Sequence, residues 1–232
     1  MISNMPGDGL IMAVDGPSGA GKSTACRAVA RQLSAKYLDT GAMYRVATLH
    51  VLRSGIDPAN EMAVVKATAA LPLQVNDDPA STEVLLAGKD VSREIRGPEV
   101  TQHVSQVSAY PQVRENLVAL QRALAAEAHR CIVDGRDIGT AVLVNAPAKV
   151  FLTASAEVRA RRRYNQDIAA GREVDFDAVL ADVQRRDELD STRAVSPLRP
   201  AEDATIVDTS DMTFDQVVDS LIELARVSQE GA

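Results

Sequence analysis

Residues 16–23 read Gly-Pro-Ser-Gly-Ala-Gly-Lys-Ser and directly follow the apolar run 10–14, Leu-Ile-Met-Ala-Val. The spacing G-x-x-x-x-G-K-S between a buried strand and a helix is that of a phosphate-binding loop. Successive backbone amides in such a loop point inward and form an anion nest. Gly16, Gly19 and Gly21 remove side chains that would block close approach. The helix expected over 22–34 aims its positive N-terminus at the same point. The implied ligand is the polyphosphate of ATP or GTP, with Mg²⁺. Lys22 is expected to bridge the β and γ phosphates, Ser23 to ligate Mg²⁺ through its hydroxyl, and Thr24 to donate to the α phosphate. The nucleotide-binding set is then Gly16, Pro17, Ser18, Gly19, Ala20, Gly21, Lys22, Ser23 and Thr24.

The rest of the chain supplies a scaffold for such a loop. Its 232 residues are 46% hydrophobic, enough for a sizeable α/β core. Five short apolar runs, 10–14, 36–39, 131–134, 149–153 and 204–208, have the character of parallel strands buried on both faces. Helical patterns alternate with them over 22–34, 42–54, 110–129, 156–170, 175–191 and 213–228, which predicts right-handed βαβ units. Four of the strands end in Asp or Thr, placing polar groups at the carboxyl edge where open α/β sheets bind ligands. Residues 71–96 break the alternation. Runs 73–76, 83–86 and 89–91, separated by Asn-Asp-Asp-Pro and Ala-Gly-Lys turns, predict a small antiparallel insert. Residues 1–9 and 229–232 are expected to be loose.

The net charge of −7 and the 3% aromatic content give no support to nucleic-acid binding. No apolar stretch reaches the ~18–20 residues that span a bilayer, and no secretory signal precedes the first strand. Cys26 and Cys131 lie far apart without metal-ligand spacing and are expected to be buried small hydrophobes. These features point to the cytoplasm.

Polar clusters recur near the expected sheet edge. Asp39-Thr40-Gly41-Ala42-Met43-Tyr44-Arg45 follows the second strand. Its Asp39 or Thr40 suits a helix cap, and Tyr44 and Arg45 fall on the first turns, where an arginine suits a second phosphate. Asp134-Gly135-Arg136-Asp137 follows the third strand. Two carboxylates and a guanidinium on one turn are poorly explained by folding needs. Arg159, Arg162 and Arg163 share a helix face, so an anion partner is expected; a solvated face balanced by Glu157 fits equally well. Arg186, Asp190 and Arg193 recur at helical spacing, as a surface salt-bridge ladder would. Ser105 and Arg114, taken alone, read as surface polars.

Together, GPSGAGKS, LDTGAMYR, the insert, SQVSAYPQVRE, VDGRDIGT, ASAEVRARRR and RRDELDSTRAVSPL resemble, in the same order, the bacterial cytidylate kinases, within the nucleoside monophosphate kinases of the P-loop NTPase class. The likeness runs from about residue 10 to 224. It implies a five-stranded parallel sheet flanked by helices, made up of residues 10–70 and 97–232, with an acceptor-binding insert at 71–96 and a helical lid at 157–188. It implies transfer of the ATP γ-phosphoryl group to CMP or dCMP by a monomer. By position, Arg45, Arg136 and Arg193 resemble the clamp on the acceptor phosphate, and Ser105, Arg114 and Asp137 the set that reads cytosine. Thr40, Tyr44, Asp134, Arg186 and Asp190 resemble neighbours of the acceptor, Thr40 standing where relatives carry serine. Arg159, Arg162 and Arg163 resemble the lid that closes over ATP, acting in catalysis with Lys22 and Arg136. Asp39 and Asp134 match residues that hold Mg²⁺ through water. Kinases of UMP, AMP or shikimate are rival readings within the same chemistry. A GTPase-type switch needs a guanine-reading N-K-x-D, which Asn165-Gln166-Asp167 does not supply. A DNA-associated ATPase is disfavoured by the acidic charge balance.

Overall fold

A computed structural model of the chain describes residues 9–230. A parallel sheet of order β2-β6-β1-β7-β8 forms the centre. The strands are β1 (Leu10–Asp15), β2 (Lys36–Asp39), β6 (Arg130–Asp134), β7 (Ala148–Thr153) and β8 (Thr205–Asp208). These are the five expected runs, with β1 extending one residue further to Asp15, β6 and β7 each beginning one residue earlier, and β8 one residue later. The central strand β1 registers Val14 against Asp134 of β6 and Asp15 against Phe151 of β7. The carboxyl ends of β1 and β6 therefore sit side by side, and the loops that follow them meet. Among the described residues, no helix is long and apolar enough to cross a membrane.

Two apolar layers cover the sheet. On one face α1 (Lys22–Gln32) and α8 (Phe214–Glu230) bury Ala25, Val29, Leu221 and Ala225 against Met12, Val14 and Val150. On the other, Ala125 of α5 (Pro111–Ala128) and the π-turn Ile138–Val142 pack on Ala13, Leu38 and Val133. A side lobe joins α2 (Thr40–Arg53), α3 (Glu61–Thr68) and α4 (Pro98–Val107) to the insert. Helices α6 (Ala156–Ala169) and α7 (Phe176–Thr192) pack along each other beyond β7.

Some details depart from the sequence expectations. Helices α3 and α4 were not expected, although both carry local signals: Asn60 Oδ1 caps α3 by accepting from Ala63 N–H, and Pro98 occupies the first turn of α4. Val100, Val104 and Val107 form the buried stripe of α4. The insert is antiparallel, as expected, but its strands shrink to Leu73–Gln74 (β3), Leu85–Leu86 (β4) and Lys89–Asp90 (β5). Here side chains take amides that a longer ladder would use. Asn76 Oδ1 accepts from Asp78 N–H, Ser81 Oγ from Glu83 N–H, and Ser92 Oγ from Val84 N–H. Residues 229 and 230 continue α8 instead of fraying, and Gln229 Nε2 donates to the Gly9 carbonyl at 3.0 Å. The rest of the terminal segments expected to be loose, 1–8 and 231–232, lies outside the described residues.

Candidate active site

The phosphate loop leaves β1 at Gly16 and enters α1 at Lys22. The lysine is buried, and its Nζ donates to the carbonyls of Gly16 at 2.8 Å and Pro17 at 2.9 Å. Burial, followed by the neighbouring Arg136 guanidinium, lowers the Lys22 pKa to about 8. Two loop glycines answer to the protein as well as to a ligand. A Cβ on Gly16 (φ +147°) would sit 1.9 Å from the Leu152 carbonyl oxygen. One on Gly19 (φ +81°) would meet Arg159 Cβ at 3.1 Å. The backbone of β7 and α6 thus presses on the loop from behind.

At the mouth of the loop, Ser23 Oγ donates to Asp134 Oδ2 at 2.5 Å, and Tyr37 Oη donates to the same oxygen at 3.1 Å. Burial raises the Asp134 pKa. Asp39 caps α2 through Ala42 N–H and stands beside Asp134 in register. Among the described residues there is no group of three or more His, Cys, Asp or Glu arranged to hold a metal. One hydroxyl and two carboxylates form a sparse, hard-oxygen set. That fits Mg²⁺, which keeps several waters and takes its remaining ligands from substrate phosphates.

Two cavities meet at this edge. The larger, about 490 Å³, runs from Gly19–Thr24 past Arg162, Arg163 and Gln166 of α6 to Thr209, Met212 and Phe214. The smaller, about 50 Å³, lies between α2, α4, α5 and α7 and is lined by Thr40, Tyr44, Ser105, Arg114, Asp137 and Arg193 among others. Gly41, Arg45, Arg136 and Arg186 line both. The sequence spreads these groups over seven helices and the turns beside them; the fold gathers them.

The junction is crowded with cations. Burial and then Arg186 and Arg136 lower the Arg45 pKa to about 9. Burial and Arg136 lower that of Arg186 to about 10. Arg193 is lowered by burial and by Arg114. Arg186 Nε and Arg193 Nη2 are buried with no hydrogen-bond partner among the described residues. Buried donors without partners are costly, so this arrangement calls for an anionic ligand. Arg136 is the exception. Burial opposes its charge, but Asp190, which accepts from its Nε at 2.8 Å, together with Asp134 and Asp39, raises the pKa.

In the smaller cavity the buried Arg114 guanidinium pairs with the buried Asp137 carboxylate. Arg114 also donates to the Ser108 carbonyl at 3.1 Å and lies over the Tyr44 ring at 5.1 Å. Arg193 Nη2 stands 3.7 Å from the other Asp137 oxygen. The expected stripe of Arg186, Asp190 and Arg193 is broken at Arg193, because α7 ends at Thr192; the Arg193 side chain is held by the Ser196 carbonyl.

The three arginines of α6 do not act alike. Arg162 and Arg163 line the larger cavity. Arg159 is buried behind the loop, where it donates to the carbonyls of Ala154 at 2.9 Å and Ser18 at 3.1 Å and pairs with Asp187. Arg45 reaches across to the Ile95 carbonyl at 2.9 Å and Thr101 Oγ1 at 3.0 Å while still facing both cavities. Pro17 contributes its carbonyl to Lys22 and does not line the cavities. Sequence reasoning missed Asp15, Arg96, Asp187, Thr209 and Phe214. Asp15 alone carried a local signal, a carboxylate beside the first loop glycine.

Comparison with known proteins agrees with this geometry. The family model for cytidylate kinase matches residues 12–227. The chain is 76% identical over 226 residues to a cytidylate kinase of Corynebacterium glutamicum, covering 97% of this chain and 98% of that one. It is 62% identical over 213 residues to a cytidylate kinase of Rhodococcus opacus, covering 92% and 93%. A crystal structure of an uncharacterized protein from Eubacterium ventriosum aligns with a TM-score of 0.51 at 11% identity, over 93% of this chain and 98% of that one. That likeness is one of fold alone. A sequence match along nearly the whole chain, with the phosphate loop and the arginine junction in place, makes this chain a member of the cytidylate kinase family.

Proposed function

We propose that this chain transfers the γ-phosphoryl group of ATP to CMP or dCMP, giving ADP and CDP or dCDP. The observation that carries the proposal is the smaller cavity, which shares Gly41, Arg45, Arg136 and Arg186 with the cavity of the phosphate loop. In it the Arg114–Asp137 pair stands beside the buried Arg193 Nη2, which makes no hydrogen bond among the described residues. A carboxylate accepts well from the exocyclic amino group of cytosine, and a guanidinium or hydroxyl donates to its ring acceptors. Arg114, Asp137 and Ser105 supply that set. Uracil reverses the pattern at one edge and would leave a buried polar group unpaired, at roughly 1–3 kcal/mol.

Phosphoryl transfer requires little covalent help. It needs two anions held in line and the developing charge spread. In this reading the loop amides and Lys22 hold the polyphosphate, and Arg45, Arg136 and Arg193 hold the acceptor phosphate. Arg186 and Asp190 stand by its sugar with Thr40 and Tyr44. The attacking phosphate oxygen is already anionic near neutral pH, so no general base is needed. Arg162 and Arg163 close over the donor and exclude water. Ser23 would hold Mg²⁺ through its hydroxyl, with Asp39 and Asp134 acting through water, and the ion neutralises phosphate charge.

A coupled ADP-release assay with Mg·ATP tests this against CMP, dCMP, UMP and AMP, with a blank lacking acceptor. Fast turnover with CMP and dCMP, weak with UMP and absent with AMP, is the expected result. ADP release independent of acceptor would mean an ATPase, and silence with every acceptor would return the loop to a switch or another kinase.

A further inference from the structure

Asp15 closes β1 one residue before the phosphate loop, yet its buried carboxylate turns toward the acceptor side. Oδ1 accepts from the Ile138 amide at 2.7 Å and Oδ2 from the Gly139 amide at 2.7 Å. The preceding residue, Val14, accepts at its carbonyl from the Gly135 amide at 3.0 Å. The turn after β6 is therefore gripped by β1 on both sides of Arg136 and Asp137. We propose that Asp15 is a positioning residue for the acceptor site, its carboxylate holding Arg136 and Asp137 in place through the Ile138 and Gly139 amides. This rests on the reading of the smaller cavity as the acceptor site.

The geometry leaves little slack. A Cβ on Gly135 would sit 2.5 Å from the Ile138 side chain and 2.8 Å from Thr40 Oγ1. A Cβ on Gly139 would lie 3.3 Å from Lys149 Cδ and 3.5 Å from Asp15 Oδ2. The turn thus packs directly on Asp15, and a shift at Ile138 moves Asp137 beside it. Both amides need an acceptor, which only the ionised carboxylate provides at both oxygens. Burial is the main cause that raises the Asp15 pKa to about 6, with the Asp137 charge adding to it and the two amides and Lys22 opposing. The charges that act on Asp15 are Asp137 on the turn and Lys22 on α1; on β7 the Lys149 ammonium is taken by the Val144 carbonyl and Asp203. Loss of the grip is expected as pH falls through that value, when one oxygen becomes a donor facing a donor.

The test compares wild type with Asp15→Asn, in which an amide nitrogen faces a backbone N–H. Kinetics are measured with CMP and with ATP varied, from pH 5 to 8. Because the acceptor phosphate itself ionises near pH ~6, the quantity read is the wild-type-to-variant ratio of kcat/KM for CMP at each pH. The expected result at pH 8 is a KM for CMP raised about tenfold or more, with KM for ATP changed less than about twofold. That ratio should shrink as pH falls below about 6. Equal increases in both KM values, or a ratio flat with pH, would overturn the proposal. If Asp15→Asn does not fold, the Ile138 and Gly139 amide proton shifts of wild type are followed by NMR over the same range. Both titrating with a midpoint near 6 supports the grip, and neither moving refutes it. Wild type that fails to phosphorylate CMP at all would fault the functional reading, whereas an active wild type without the split would fault this inference alone.

Discussion

Arg186 of α7 donates to the hydroxyl of Ser18 in the phosphate loop at 3.1 Å. Arg186 lines both cavities, so the loop that holds one anion is tied to a cation that faces the other. The carbonyl of the same serine accepts from Arg159 of α6 at 3.1 Å. The loop tip is thus fastened to both helices that overhang it, and movement of those helices is mechanically linked to the loop.

The two kinds of arginine on α6 should separate by experiment. Arg159→Ala leaves Asp187 and two carbonyls without a donor and is expected to lower stability by roughly 1–3 kcal/mol along with activity. Arg163→Ala removes a part-exposed cavity residue whose ion pair is with Asp167 of its own helix. It should change stability by less than about 0.5 kcal/mol while lowering turnover. Urea denaturation beside steady-state kinetics checks both, and equal stability losses would remove the distinction.

Lys22→Ala should reduce turnover by about 10²–10³ or more, since it removes the ammonium that the loop holds at the Gly16 and Pro17 carbonyls. Stability should hold without nucleotide. The native Lys22 pKa, about 8, lies below the ordinary 10.5, so the native state binds fewer protons than the unfolded chain between those values. This group alone makes stability rise with pH across that window, and at neutral pH its buried charge is a cost. The alanine variant sheds that cost but leaves the Gly16 and Pro17 carbonyls without their donor, so a net change of less than about 2 kcal/mol is expected by thermal melting.

The same lowered pKa predicts proton uptake. Polyphosphate favours the charged ammonium, so ATP binding raises the Lys22 pKa. Little uptake is expected at pH 7, and a clear fraction of a proton at pH 8.5, where free Lys22 is mostly neutral. Calorimetric titration in buffers of different ionisation enthalpy measures it; uptake identical at both pH values would contradict the assignment.

Asp137→Ala leaves the buried Arg114 guanidinium without its carboxylate. The expected cost is about 3–5 kcal/mol of stability, with CMP weakened far more than ATP. Replacing both partners, Arg114→Met with Asp137→Leu, should recover stability without recovering CMP use. Equal loss of affinity for both substrates would remove Asp137 from base reading.

The loop glycines are expected to differ. Gly16→Ala drives a Cβ against the Leu152 carbonyl and should cost several kcal/mol, beyond the ~1–3 kcal/mol of an unfavourable φ. Gly21→Ala (φ +90°) meets nothing nearer than Arg162 Nη1 at 3.9 Å and should cost only that backbone strain. Denaturation midpoints of the two variants give the comparison.

Residue order alone makes local structure legible. The run 10–14 followed by G-x-x-x-x-G-K-S specifies a strand, an anion nest and a helix, because amide direction, glycine φ and hydrophobic period are set within a few residues of one another. The five strands were legible for the same reason, whereas the cap of α2 was left between Asp39 and Thr40 and the structure gives it to Asp39. Helix α4 was overlooked although Pro98 and the valine stripe announce it, and the insert strands were overdrawn because nearby Ser and Asn side chains compete for their amides. Which charges meet depends on how the elements pack. Residue pattern alone leaves Arg114 a surface polar and only the resemblance groups it with Asp137, until the fold closes one on the other; Arg159, one turn from Arg162, is sent behind the loop instead of over it. Asp15 shows no partner in sequence because the amides it holds lie more than a hundred residues away. Ion pairs and buried cavities depend on distance and desolvation across chain segments, and strand order and helix packing, rather than sequence spacing, set those quantities.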